Sequence, residues 1–260
     1  MDDAVTDWNR RAWDAQVRRG NRWTIPVGAE EVAAARRGEL SVVLTPKRPV
    51  PLDWLPPLAG ARVLALASSG GQQAPLLAAT GAEVTVHDLS AGQLAQDRAV
   101  AEREHLPLRF EQGDMRDLSR YADATFDLVF HPCSNNFIPD PQPVWREAFR
   151  VLRPGGVLLA GVTAPHRFLF DEQALERGEF LVRHALPYSD FVHLDERERA
   201  ALVAAEEPYC FGHTFEQQLG GQLTAGFVLT ALFEDRGDDA LDRRIAGYWA
   251  TRAVKPEIRR

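Results

Sequence analysis

The sequence predicts an α/β protein built on a doubly wound, mainly parallel sheet with an antiparallel pair of strands at its C-terminal end. Two observations carry this. From about residue 61, short apolar runs alternate with helix-length segments, the pattern expected of parallel strands joined by crossover helices. Near the C-terminus the alternation stops, and two strand-like runs follow one another with no helix of useful length between them.

Ahead of the sheet, Val5 to Arg19 spaces Val5, Trp8, Ala12 and Ala15 at helical intervals, with Thr6 as the candidate cap. A second short helix, Ala29 to Arg37, ends at Gly38, and a proline-rich connection (Pro46, Pro49, Pro51, Pro56, Pro57) leads to a core that starts near Ala61. Residues 1–60 are therefore expected as a helical extension over the ligand site, and 61–260 as the core. The first strand, Arg62 to Ala67, runs into Ser68, Ser69, Gly70 and Gly71, and a helix with Pro75 in its first turn follows. Glu83 to His87 is the second strand, ending in Asp88, and Ser90 caps the long helix to His105. Leu108 to Gln112, Phe126 to Phe130 and Val157 to Val162 are the next three strands. Prolines 141 and 143 open the helix between the last two, and Pro154, Gly155 and Gly156 end it. Residues 164–212 fit no simple βα unit and read as a cap over the active-site end, with a charged helix from Asp195 to Ala205 inside. Glu216 to Ala225 reads as a helix despite Gly220 and Gly221. Phe227 to Phe233 and Gly247 to Val254 are the antiparallel pair, expected at the sheet edge.

Composition narrows the partners. The formal net charge of −7 would repel a phosphate backbone, and the arginines form no stripe interleaved with aromatics, so nucleic acid is not expected. The N-terminal MDDAVTDWNRRAW has no basic and apolar leader pattern, and no apolar run approaches the roughly 18 residues of a membrane span. A cytoplasmic protein with no membrane partner is expected. Cys133 and Cys210 match neither a CxxC pair nor a disulfide framework, so both are expected as thiols, and no metal site is expected. Oligomeric state is left open.

In an open parallel sheet, ligands bind outside the carboxyl ends of the strands, where adjacent loops diverge. Gly70 and Gly71 after the first strand allow close backbone approach, and the following helix offers amides to an anion. Asp88 ends the second strand 17 residues after Gly71, near where an acidic side chain accepts from ribose hydroxyls. After the third strand come Gly113, Asp114 and Met115, a carboxylate for an exocyclic amine and a side chain to pack on a purine face. Together they describe a pocket for an adenosine carrying a small anionic tail.

The ordered blocks VLALASSGGQQAPLLAATGAEVTVHDLSAGQL, GDMRDL, FDLVFHP and FRVLRPGGVLLAG resemble the class I S-adenosylmethionine-dependent methyltransferases. The resemblance runs from about Val63 to Val254 and is most specific over Val63 to Gly161. It implies a Rossmann-like sheet of seven strands, with S-adenosylmethionine as cofactor and S-adenosylhomocysteine as product. It further implies that Ser68, Gly70 and Gly71 line the methionine tail, Asp88 holds the ribose, and Leu89, Asp114 and Met115 surround the adenine. Trp13, Ala67, Gln73 and Gln93 complete the implied cofactor-binding set, with the leading helix folding over the cofactor and His131 near the transferred methyl. The chain departs from the usual first motif: Ala65 and Ala67 stand where an acidic residue and a first glycine are common. The polar run Ser68, Ser69, Gln72 and Gln73 is an alternative binder for the ammonium and carboxylate.

A sulfonium is already a strong electrophile, so the protein needs chiefly to position an acceptor and exclude water. His131, directly after the fourth strand, is the candidate base for a hydroxyl or thiol acceptor. Asn135, His166, Tyr188 and His213 are the candidate acceptor-binding residues, whereas His87 is assigned no role. Phe130-His131-Pro132-Cys133 stands where methyltransferases of exocyclic or amide nitrogens carry an Asp/Asn-Pro-Pro-aromatic motif, which turns the expectation toward a small-molecule acceptor. Two other classes compete. One is a protein that binds the cofactor without turnover, suggested by Ala65 and Ala67; the other is a nicotinamide-dependent oxidoreductase, disfavoured because the GxGxxG spacing is missing.

Overall fold

The computed structural model describes residues 2–257. Two helices lead, α1 (Asp2–Arg19) and α2 (Ala29–Arg36). The core follows as β1 (Arg62–Leu66), α3 (Gln73–Ala79), β2 (Glu83–Asp88), α4 (Ala91–Glu104), β3 (Leu108–Gln112), β4 (Phe126–His131), α5 (Gln142–Val151) and β5 (Leu152–Thr163). Residues 164–212, expected as a cap, hold α6 (Glu172–Glu176), β6 (Tyr188–Ser189), α7 (Asp190–His193), α8 (Glu196–Ala204) and β7 (Phe211–Gly212), and none of them lines the cavity at the carboxyl ends of the central strands. The chain closes with α9 (Gly221–Ala225), β8 (Val228–Asp235) and β9 (Tyr248–Val254).

Among the described residues, seven strands form one sheet in the order β3-β2-β1-β4-β5-β9-β8, parallel from β3 to β5, with β9 antiparallel to both β5 and β8. This is the Rossmann-like, doubly wound arrangement with its strand order reversing between β1 and β4, where a ligand crevice opens. Period-two alternation splits the core. Val63 and Ala65 point into a cluster with Leu77, Leu94 and Val100 of α3 and α4, while Leu64 and Leu66 point into one with Val144, Trp145 and Ala148 of α5.

Three expectations need correction. Helix α1 already starts at Asp2, so Thr6 is internal to it; its hydroxyl accepts instead from Arg116 Nη2 at 2.7 Å. The fifth strand begins at Leu152, because Gly155 N donates to Lys255 O at 2.8 Å and Lys255 N to Gly156 O at 2.9 Å, which draws the Pro-Gly-Gly stretch alongside the end of β9. The C-terminal antiparallel pair does form one edge of the sheet, with β9 between β5 and β8 and β8 as the outer strand. The helix expected from Glu216 to Ala225 is a π-helical turn, Glu216–Gly220, continued by α9. Gly221 packs so tightly that a Cβ there would lie 2.4 Å from Trp145 Cδ1.

Residues 164–212 carry a separate two-stranded sheet, β6 with β7, and helix α8, started by a capping box between Asp195 and Glu198. Helix α1 meets this region directly. Asn9 Nδ2 donates to Tyr209 O (3.1 Å) and to Phe137 O (2.8 Å), its Oδ1 accepts from Tyr209 N (2.8 Å), and Trp8 Nε1 donates to Glu207 O (2.9 Å). No helix of the described residues is long and apolar enough to cross a membrane.

Candidate active site

A cavity of about 1150 Å³, mouth included, opens at the carboxyl ends of the central strands. Its first wall is the turn after β1, where Ala67 (φ 46°) and Ser69 (φ 66°) both adopt left-handed backbone that costs a non-glycine residue about 1 kcal/mol each. Strain of this kind survives only where surrounding contacts dictate the turn. Here they do: Gly70 N donates to Gln93 Oε1 at 2.9 Å, and a Cβ on Gly70 would lie 2.4 Å from Gln93 O. Gly71, at φ 74°, passes its carbonyl to Val27 N at 2.9 Å and its amide to the carboxylate of Asp97. Ala67, Ser69 and Gln73 line the cavity with Gln93, whereas Ser68, Gly70 and Gly71 lie behind its surface as the support of the turn.

The second wall comes from β2 and β3. Asp88, Leu89, Asp114 and Met115 all line the cavity, together with Gly113 and His87. Asp88 Oδ1 accepts from Ser90 N at 2.9 Å, yet desolvation lifts its pKa to about 7; the Ser90 amide lowers it and the neighbouring Asp14 charge raises it. Asp114 is less free than expected. Arg116 holds both of its oxygens, with Nη2 at 2.6 Å from Oδ2 and Nε at 3.1 Å from each, so an adenine amine would have to share an already paired carboxylate. His87 braces this wall. The Asp114 carbonyl, 3.3 Å away, can only accept from Nε2, so Nδ1 accepts from Tyr121 Oη at 3.0 Å. A Cβ on Gly113 would lie 2.8 Å from that Nε2, which explains the glycine. Trp13 of α1 lines the cavity too, its ring edge-on to Phe137 at 4.9 Å.

The third region lies beyond β4, β5 and β9, where Thr45, Cys133, Thr163 and Tyr248 line the cavity. Cys133 is pushed up to about 12 by burial, with a Thr163 hydrogen bond pulling the other way, and burial likewise lifts Tyr248 to about 12 against the charge of Arg167. Both side chains are protonated at neutral pH.

The residues expected around the acceptor are elsewhere. His131 is fully buried and does not line the cavity; Nδ1 is 3.0 Å from Leu66 O and Nε2 2.8 Å from the Asn135 side chain. Burial lowers its pKa, against the opposing effect of those two bonds, and the ring is a strut between β1 and the loop after β4. Asn135 is sealed with it, its Nδ2 donating to Gln218 Oε1 at 3.2 Å. His213 donates Nε2–H to the carbonyls of Asn135 and Ile138, each at 3.0 Å. Tyr188 donates to Asp190 Oδ1 at 2.7 Å within the 164–212 segment, and His166 packs against the backbone at Ala246. Asn135, His213, Tyr188 and His166 are likewise outside the cavity lining.

One segment was missed altogether. Residues 42–46, within the proline-rich connection, strap across the cavity: Leu44 O accepts from Cys133 N at 3.0 Å, and Val43 N donates to Gln73 Oε1 at 2.9 Å. The apolar run Val42-Val43-Leu44 just before the prolines was the available signal, since Val42 and Leu44 are buried to the core.

The walls fit a nucleoside with a zwitterionic tail: a carboxylate at the end of β2, an apolar thioether and glycine after β3, and neutral polar groups beside a glycine turn after β1. Comparison with known proteins agrees. A family described as a methyltransferase domain matches residues 64–160. The chain is 44% identical to the uncharacterized methyltransferase YbaJ of Bacillus subtilis over 97% of this chain and 99% of that one. It is 37% identical to an arsenite methyltransferase of Aquipseudomonas alcaligenes over 54% of this chain and 44% of that one. In fold it is similar to an S-adenosylmethionine-dependent methyltransferase from Mesorhizobium loti, with a TM-score of 0.61 at 19% identity over 78% of this chain and 94% of that one. The glycine turn, the carboxylate at the end of β2 and the full-length likeness lead to one assignment: the chain belongs to the class I S-adenosylmethionine-dependent methyltransferases, with S-adenosylmethionine as cofactor.

Proposed function

We propose that this methyltransferase acts on a small molecule, bound between the 42–46 strap and the ends of β4, β5 and β9. The observation that carries the reading is the continuity of one cavity, from the Asp88 and Met115 walls past the turn after β1 to Thr45, Cys133, Thr163 and Tyr248. The cofactor supplies an electrophilic methyl; the protein's part is to hold the acceptor in line and keep water out. Trp13 and Phe137 cover the cavity from the α1 side, and the strap covers it from the other.

Histidine catalysis is not part of this reading, because His131 spends both ring nitrogens and His213 its Nε2 inside the protein, and neither lines the cavity. Cys133 and Tyr248 act as neutral hydrogen-bonding groups that orient the acceptor, which brings its own nucleophilic atom. A nucleic-acid acceptor is disfavoured by the net charge of −7.

Calorimetric titration with S-adenosylmethionine and S-adenosylhomocysteine, with NAD as comparison, is the first test, followed by transfer of labelled methyl groups to metabolites of a cell extract. Micromolar binding of the sulfonium pair and a labelled small product are expected. Tight binding with label on no metabolite would favour the reading in which the cofactor is bound without turnover, which the Ala65 and Ala67 departures motivate.

A further inference from the structure

The turn after β1 lacks the acidic residue that would meet the ammonium of an amino acid, and two of its amides are already spent. Gln93 and Asp97, one helical turn apart on α4, occupy the amides of Gly70 and Gly71. Beside the Ser69 hydroxyl, this end of the cavity presents two adjacent glutamines, both in its lining, whose amide groups are locked in opposite senses.

Gln72 Nε2 donates to two backbone carbonyls, Arg22 O at 2.9 Å and Ile25 O at 3.0 Å. Carbonyl oxygens only accept, so the nitrogen must be on that side, and Oε1 is left as an acceptor. Gln73 is the reverse. Its Oε1 accepts from Val43 N at 2.9 Å, an amide that only donates, so Nε2 is left as a donor with no protein partner among the described residues. Gln73 is 5% exposed, so that donor is committed to the cavity side or to nothing. An acceptor and a donor on consecutive residues, each with its sense dictated by backbone, match an ammonium and a carboxylate on one carbon.

We propose that Gln72 and Gln73 form a neutral zwitterion clamp for the amino-acid tail of the cofactor, Gln72 Oε1 accepting from the ammonium and Gln73 Nε2 donating to the carboxylate. This rests on the cofactor assignment above. Gln93 and Asp97 are positioning residues for the clamp, since they hold the turn from which both glutamines project. The N-terminal segment shares in it: Arg22 and Ile25 orient Gln72, and Val43 orients Gln73.

The test is Gln73→Glu, which keeps an oxygen for Val43 N and sets a like charge against the carboxylate. Affinities are measured by calorimetry for three ligands: S-adenosylhomocysteine, its decarboxylated analogue, and 5′-methylthioadenosine, which carries the nucleoside without the tail. The variant is expected to lose about tenfold or more toward S-adenosylhomocysteine, to keep its affinity for 5′-methylthioadenosine, and to bind the decarboxylated analogue at least as well as the wild type. Gln72→Leu is expected to weaken both ammonium-bearing ligands and spare 5′-methylthioadenosine. Equal losses for all three ligands would overturn the clamp and leave a general role in folding, which thermal melting of each variant would register. Unchanged affinity for S-adenosylhomocysteine in Gln73→Glu would overturn it as well. If the wild type binds neither nucleoside, the cofactor site itself has failed and the clamp with it, an outcome distinct from both.

Discussion

Asp14 Oδ1 of α1 lies 2.6 Å from the Ser90 hydroxyl and 2.9 Å from the Gly92 amide, so a carboxylate from the leading helix sits on the N-terminus of α4. Ser90 Oγ in turn accepts from Gln93 N at 3.1 Å, which makes Ser90 the cap and Asp14 the group that orients it. A negative side chain also complements the positive end of the helix dipole. Asp14→Ala is expected to lower unfolding stability by about 1–2 kcal/mol. It should also weaken binding of S-adenosylhomocysteine, because Trp13 and the Gln93 brace depend on the same junction. Urea denaturation and calorimetry check both; an unchanged midpoint would show that α1 docks without this contact.

Asp88 predicts a pH dependence of cofactor binding. Desolvation puts its pKa near 7, above the usual carboxylate range. On the reading that Asp88 holds the ribose, the hydroxyls would donate to its carboxylate, so the ligand would favour the ionised form. Affinity for S-adenosylhomocysteine should therefore rise between pH 6 and pH 8, and Asp88→Asn should bind more weakly with that slope removed. Since the Asp14 charge contributes to the upward shift, Asp14→Asn should move the midpoint to lower pH. A flat wild-type profile across this range would refute the assignment of Asp88 to the ribose.

Much of this arrangement was legible in the chain. The alternation of apolar runs with helical segments marks β1 to β5, and Asp88 and Met115 could be placed because the first ends β2 and the second closely follows the end of β3, at the edge of the sheet where the cavity opens. What was not legible is whatever depends on a partner distant in sequence. His131 stands in the expected place after β4, but its ring is turned inward to Leu66 and Asn135, a choice made by two carbonyl-side partners that no local pattern announces. The Gly70 and Gly71 amides looked available to a ligand; that Gln93 and Asp97 occupy them is a matter of how α4 lies across the turn. The strap at 42–46 was hidden by its prolines, which read as a connection and in fact turn a short apolar run back over the cavity, with Val50 N donating to Val42 O at 2.8 Å.

Asp97 offers a test of this buried wiring through stability. It is 1% exposed, Oδ1 has no partner among the described residues, and burial raises its pKa well above the usual value, against the hydrogen bond from Gly71. A carboxyl group raised in the folded state contributes fully below its unfolded pKa near 4 and loses that contribution as pH climbs toward the folded value. Asp97→Asn keeps an oxygen for the Gly71 amide and removes the ionisation. The variant should match the wild type near pH 3.5 and exceed it at pH 7 by on the order of 1 kcal/mol. Denaturation at the two pH values decides it, and a variant less stable at pH 7 would mean that the ionised carboxylate is compensated in the fold.

Gly161 tests the strap. It lies near the end of β5, paired with Ala250 of β9, and a Cβ there would lie 2.0 Å from Leu44 O and 3.0 Å from Cys133 N, the two atoms whose hydrogen bond fastens the strap to the cavity wall. Neither is the end of a flexible side chain, so the backbone of 42–46 must move if a methyl group is added. Gly161→Ala is thus expected to cost about 1–3 kcal/mol, the usual penalty for overpacking a tight contact. The functional effect should exceed the stability effect in one respect. Displacing Leu44 shifts Val43, which orients Gln73, and Thr45, which lines the acceptor region, so both cofactor affinity and methyl transfer should fall in a variant that still melts cooperatively. If Gly161→Ala loses stability but binds S-adenosylhomocysteine like the wild type, the strap is packing alone, and the coupling drawn between it and the cofactor tail is wrong.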